Sequence, residues 1–199
     1  MRIPGWRWIR RGMLATLALI VALTLHYSLP GVDIVRIVGT ENRRIEFGWN
    51  SFFWASPDAG TATLGAARDI FFIQAVDAEG GAVVFRNEDT GWGWPPYFKF
   101  SSHDMQAIAS SLVSGAEAPQ WVAVTHYGWR SELLTIFPNV LKLAPVAGPE
   151  VRVIPWGGFA ILGGLALGLL ALWRVLILLR RAYVDPLWAR MLRLLGRDV

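Results

Sequence analysis

The chain has 199 residues, 54% of them apolar, no cysteine, and a formal charge of +4. That apolar fraction excludes an ordinary soluble domain, the length excludes a many-span transporter, and the lack of cysteine excludes disulfides and thiol chemistry. The charge is unevenly placed: four arginines precede residue 12 and six follow residue 173, whereas 31–152 carries nine Lys/Arg against thirteen Asp/Glu and is net −4. The basic pI therefore belongs to the flanks, and an acidic middle excludes a nucleic-acid partner.

Residues 1–11 form a basic flank in which Trp6 and Trp8 alternate with arginines, a composition suited to the headgroup layer. Residues 12–30, "GMLATLALIVALTLHYSLP", are long and apolar enough for a first transmembrane helix. The run ends in "HYSLPG" with no A-x-A-like site, so an uncleaved signal anchor is expected, with His26 interfacial.

Residues 31–152 are expected to form one β-rich domain. "VDIVRIVG" reads as a strand with Val32, Ile34 and Val38 on one face and Val35 and Ile37 on the other. "RRIEFGW" reads as a second strand, and "NSFFWASPDAGTATLGAAR" as a loop. "DIFFIQAV" and "AVVFRNE" flank "DAEGG" as a hairpin. In "YFKF", alternation places Phe98 and Phe100 toward the core and Lys99 outward. Ser101 and Asp104 have capping-box spacing before a helical run of Met105, Ile108, Ala109, Leu112 and Val113, which Gly115 ends. "WVAVTHY" and "NVLKLAPV" are the last strands.

Residues 153–179 read as a second transmembrane helix, with Trp156 and Trp173 about 26 Å apart along it. Ala160, Gly164 and Gly168 share one face and allow close helix packing. Residues 180–199 form a basic amphipathic cytoplasmic tail, in which Asp185 caps a short helix that starts at Pro186. The expected fold is thus membrane α plus an exported β-rich α+β domain. Two transmembrane helices flank a small curved antiparallel sheet or OB-like barrel with one helix. Arginine-rich ends stay inside, so both termini face the cytoplasm and the central domain is periplasmic, at a bacterial inner membrane.

Two segments concentrate chemistry. "NEDTGWGWPPYFKF" supplies Asn87, Glu88, Asp89, Trp92 and Trp94. It is either a rigid corner whose indoles cover the barrel end, an aromatic platform for sugars, peptides or cations, or a contact with lipid or a neighbouring subunit. "THYGWRSELLTIFPN" supplies His126, Tyr127 and Arg130, which suit an anion or acid–base site, or else a turn in which Arg130 pairs with Glu88 or Asp89. Three histidines at 26, 103 and 126 lack metal-ligand spacing, and no phosphate or dinucleotide glycine motif is present, so neither a metal nor another cofactor is expected.

Both segments, together with "VDIVRIVGTENRR", "FWASPDAGT" and "VRVIPW", resemble an uncharacterised family of bacterial inner-membrane proteins of alphaproteobacterial type, a domain of unknown function. The resemblance covers most of Asp33 to Trp156 and implies two spans around an envelope domain, but no activity or catalytic residue. The residues themselves point first to an accessory, assembly or scaffold subunit rather than an enzyme. Its partners would be the lipid bilayer and other membrane subunits, met through the second span, the tryptophan-rich corner or the C-terminal helix. The alternative is a periplasmic protein that binds a small ligand, glycan or peptide, or an envelope enzyme, using a cleft between residues 87–94 and 126–132.

Overall fold

The computed structural model describes residues 6–46, 53–54 and 67–194. Helix α1 (Trp6–Ser28) has 23 residues, about 34 Å of rise, and none of them is buried. Apolar side chains face outward all round it, a pattern that is stable only where something other than water covers the helix. Residues from Trp156 onward form a separate compact unit. There α3 (Trp156–Leu179) runs through a π turn (Arg180–Val184) into α4 (Asp185–Leu194). By length and composition, Trp6–Ser28 and Trp156–Trp188 are both able to cross a membrane.

Asp185 does not cap a new helix as expected. It is itself helical (φ −62°, ψ −43°), and its carboxylate sits 3.3 Å from Nε of Arg180. Pro186 has no N–H to give to the preceding turn, and the wider π turn lies where that bond is missing. The small face at Ala160, Gly164 and Gly168 is exposed, and a methyl added at Gly164 or Gly168 would meet nothing within 4 Å. The end of the expected tail, residues 195–199, lies outside the described residues.

Between these helices five strands close into a barrel in the order β1-β2-β3-β5-β4. They are β1 (Gly31–Glu46), β2 (Ala67–Asp77), β3 (Ala82–Asn87), β4 (Trp121–Tyr127) and β5 (Asn139–Val146), with α2 (Ser102–Ser111) between β3 and β4. The expected antiparallel sheet is corrected to a mixed one: β3 and β5 run parallel through the single pair Arg86↔Asn139. The reason is parity. Directions cannot alternate all the way round a closed ring with an odd number of strands, so one neighbouring pair must run the same way.

The expected break between two early strands is absent. One strand of 16 residues pairs with β4 over Gly31–Arg36 and with β2 over Val35–Glu46. A bulge between Ile37 and Gly39 bends it, so Val35 and Ile37 are buried and Val38 is exposed. A Cβ on Gly39 would lie 2.9 Å from Oε1 of Gln74, so a larger residue there would displace the end of that side chain. Phe47 and Trp49 of the expected second strand lie outside the described residues. The β2–β3 hairpin forms as expected. Gly80 takes φ +87°, and Oδ1 of Asp77 accepts the Gly81 N–H at 2.6 Å.

Helix α2 and its C-cap supply the barrel core with Ala109 and Leu112, packed with Val35, Ile37, Ile73, Phe85, Val122, Val124 and Val140. Its N-terminus is not capped by the expected Ser101–Asp104 box, since Ser101 makes no side-chain cap bond. Asp89 caps it instead, from the loop after β3: Oδ1 accepts the Ser102 N–H at 2.8 Å and Oδ2 accepts the Ser102 hydroxyl at 2.9 Å. A carboxylate there also meets the positive end of the helix dipole. The helix ends before Gly115, where the Leu112 N–H donates to Ile108 and Ala109. Asp89→Ala is therefore expected to cost about 1–2 kcal/mol and Ser101→Ala under about 0.5 kcal/mol. Urea unfolding of the detergent-solubilised protein would measure both, and equal losses would contradict the assignment of the cap.

Candidate functional site

Alternation fails at the end of β3, where Phe85, Arg86, Asn87 and Glu88 are buried in succession. Both edges of this strand end are paired, and its two faces meet α2 and the last turn of α1. Arg86 donates from Nη1 to Oε2 of Glu88 at 2.8 Å and from Nη2 to the Tyr27 hydroxyl at 3.4 Å, and its guanidinium lies over the Trp54 ring. Arg68 engages the other carboxylate oxygen of Glu88. One carboxylate between two guanidinium groups satisfies its lone pairs away from water, the condition for keeping a buried charge.

Asn139 continues the one-residue β3–β5 pairing with its side chain. Oδ1 accepts the Glu88 N–H at 2.9 Å, and Nδ2 donates to the Glu88 carbonyl and to the Tyr127 hydroxyl, both at 3.1 Å. Tyr127 stacks on Tyr97 at 5.1 Å and meets Tyr27 edge-on. Asn87 donates to the Ser102 carbonyl at 2.8 Å and to Gln106 at 3.0 Å, and accepts from Nζ of Lys99 at 2.5 Å.

The phase of "YFKF" is the reverse of the expectation. Lys99 is buried, and Phe98 and Phe100 are exposed. An internal lysine needs acceptors. Nζ finds Oδ1 of Asn87 and, at 2.6 Å, the Val140 carbonyl, groups 12 and 41 residues away in sequence. Burial lowers the Lys99 pKa to about 8, against the opposing pull of Asp89 and Glu88. Burial likewise pushes Tyr97 up to about 12, with Tyr127 adding to it, and raises Tyr127.

The last turn of α1 is tied to this network. Two carbonyls that a helix end leaves without partners are satisfied from the barrel: the Gly128 N–H donates to the Tyr27 carbonyl at 2.9 Å, and the Tyr97 hydroxyl donates to the Ser28 carbonyl. Trp94 donates from Nε1 to the Ser28 hydroxyl at 3.1 Å, and Trp129 to Nδ1 of His26 at 2.7 Å.

The expected site residues therefore separate into three groups. Asn87, Glu88, Asp89 and Tyr127 are brought into one buried network through Asn139 and Ser102. Trp92 and Trp94 are exposed rather than covering the barrel end. His126 faces elsewhere, with its ring against Phe85 and its Nε2 3.0 Å from Oδ2 of Asp33. Arg130 pairs with Glu132 at 3.3 Å on the exposed β4–β5 loop, not with Glu88 or Asp89. Arg68, Lys99, Tyr97, Ser28 and Asn139 were not singled out from the sequence. The one local signal was an asparagine, a poor strand former, at the start of an apolar strand.

Among the described residues two hollows stand out. One of about 160 Å³ lies beside the N-terminus of α2, among Arg68, Asn87, Glu88, Asp89 and His103. A larger groove of about 450 Å³ lies on the outer face of β1–β3 under the β4–β5 loop, between Phe72, Gln74, Val84, Phe137 and Leu133. None of the expected site residues lines the larger groove.

Glu88→Ala would leave Arg86 buried without its carboxylate and is expected to cost about 3–5 kcal/mol, whereas Arg130→Ala should cost at most about 0.5 kcal/mol. Denaturant unfolding followed by tryptophan fluorescence separates the two, and similar losses would refute a structural role for the network. With only two lysines in the chain, ¹³Cε NMR should resolve Lys99 titrating with a midpoint near 8. Between that value and 10.5 the unfolded chain holds the proton longer than the folded one, so the Lys99 contribution to stability rises with pH. Tyr97 acts oppositely. From pH 10 to about 12 the folded state holds the proton, and stability falls. A Lys99 midpoint near 10.5 would show that the ammonium is solvated.

A search of solved structures finds no match. An uncharacterised protein of Haemophilus influenzae (strain ATCC 51907 / DSM 11121 / KW20 / Rd) is 28% identical over 135 residues, covering 66% of this chain and 72% of the relative. Residues 6–180 match the family described as protein of unknown function (DUF1523), so the match takes in α1, the whole barrel and α3. The chain therefore belongs to the DUF1523 family of proteins of unknown function.

Proposed function

We propose that the chain is a membrane-anchored accessory or scaffold subunit, its barrel held in the periplasm between two spans and its basic ends in the cytoplasm. The observation that carries this reading is the junction at His26, Tyr27 and Ser28, where α1 is bonded to three separate parts of the barrel. A domain that searches for a diffusing substrate is served by a loose tether. A bonded junction fixes the height and tilt of the barrel relative to its helix, which is what docking onto another membrane protein requires. The carboxylates expected as candidate ligand- or partner-binding groups support the same reading, since Glu88 is held between two arginines and Asp89 caps α2.

A second reading rests on the larger groove. The strand order with one helix between β3 and β4 supports the OB-like reading, and such barrels bind ligands over strands 2 and 3 beneath the loops at that end. Phe72 and Phe137 provide aromatic edges and Gln74 an amide, a lining suited to a sugar or peptide, and Arg43 in the same groove is paired with Glu41.

Native sizing and mass spectrometry after extraction in mild detergent test both. The scaffold reading expects co-migration with other membrane proteins. A monomer under every mild condition, stabilised by glycan or peptide fragments in a manner lost on Gln74→Ala, would replace it with the second reading.

A further inference from the structure

We propose that Trp92, Trp94, Phe98 and Phe100 form an interfacial anchor that seats one face of the barrel in the lipid headgroup and upper acyl layer. The proposal rests on the reading that α1 crosses the bilayer, and it adds a second contact with the same membrane. These side chains are 84%, 66%, 52% and 59% exposed, and Trp92 gathers the two phenylalanines at 5.2 and 6.0 Å between ring centres. Trp92, Phe98 and Phe100 form one aromatic cluster, not scattered surface residues, and Trp94 stands two residues from Trp92 in the same loop.

The position of the patch says what covers it. Trp94 and Tyr97 are both bonded to Ser28, the last residue of α1. Trp6 and Trp8 are exposed at the first turn of the same helix. The apolar stretch from Gly12 to Ser28 rises about 24 Å, and Arg7, Arg10, Arg11 and the two indoles precede it, so the patch stands where the helix leaves the bilayer, opposite a basic, tryptophan-bearing end at the other face.

The chemistry of the corner agrees. Residues 90–98, "TGWGWPPYF", carry no charged side chain. The neighbouring charges turn inward: Asp89 to Ser102 and Lys99 to Asn87 and Val140. Four of the seven backbone N–H groups of residues 90–98 donate within the loop. Thr90 and Gly91 donate to the Lys99 carbonyl, Gly93 to Thr90 and Tyr97 to Pro95, while Pro95 and Pro96 have no N–H. A loop without exposed charge, with most of its donors spent internally, enters the interface at little cost, and the indole prefers that layer.

The absence of cysteine makes a direct test simple. Single variants Trp92→Cys and Phe98→Cys of the full chain would be spin-labelled in nanodiscs of phosphatidylethanolamine and phosphatidylglycerol. Accessibility to oxygen and to a water-soluble nickel chelate is then read by power saturation. Ala18→Cys, in the middle of α1, serves as the embedded reference. Glu79→Cys, in the exposed β2–β3 turn, serves as the aqueous one. The anchor predicts that both patch labels favour oxygen several-fold over the level at Glu79, at a depth shallower than Ala18. Patch labels that meet nickel as freely as Glu79, with Ala18 still embedded, would overturn the anchor and leave the span intact. Labels shielded from both reagents would mean that protein covers the patch, and the lipid seat would be wrong. A nickel-accessible Ala18 would overturn the span and the anchor together.

Discussion

Glu88 is the group on which the arrangement depends. Its side chain neutralises Arg86 and engages Arg68, and its backbone is claimed by the amide of Asn139. Through Arg86 it reaches Tyr27, and through Asn139 it reaches Tyr127 and so Tyr97. The end of the first helix, the end of β3 and the start of β5 are thus held by one carboxylate and its two flanking peptide groups. Burying such a charge is costly unless every partner is in place. The device therefore specifies geometry: the barrel closes with all these elements in register, or the charges have no satisfied arrangement.

The polar network and the apolar core divide the work. The core around Phe85, Val122 and Val140, with α2 and its C-cap supplying Ala109 and Leu112, stabilises the barrel by burial. It does not by itself choose how α1 leaves the barrel. That choice is made by directional bonds to two carbonyls at the end of a helix, groups that would otherwise need water. Since α1 has no buried residue along its length, this junction is its attachment to the domain beyond the covalent chain.

Elements governed by local pattern were legible in the sequence. The β2–β3 hairpin, β4, β5 and α2 follow from alternation, helical spacing and turn glycines, each a matter of a few neighbouring residues. What could not be read depended on distant partners. Lys99 goes inward because acceptors wait on Asn87 and Val140, and α2 is capped by Asp89 rather than its own Ser101. The separation of Arg130 from Glu88 has the same origin, because Arg68 and Arg86 already occupy the carboxylate. The parallel β3–β5 pair was foreseeable in principle, since it needs only the count of five strands and the fact of closure. The two segments rich in chemistry do meet around Asn139, yet the residue that joins them stood out only as an unlikely strand starter.

Closure has a consequence for how this domain can be recognised. An open sheet offers a neighbour a row of unsatisfied peptide groups, and many proteins associate by lending a strand to such a border. Here the ring of strands has a short seam between β3 and β5, where the Asn139 amide already occupies the Glu88 peptide groups, whereas β1 beyond Arg36 is paired with β2 alone among the described strands. Main-chain zippering is thereby denied at that seam, and whatever meets the barrel there must select it by the shape and chemistry of its side chains.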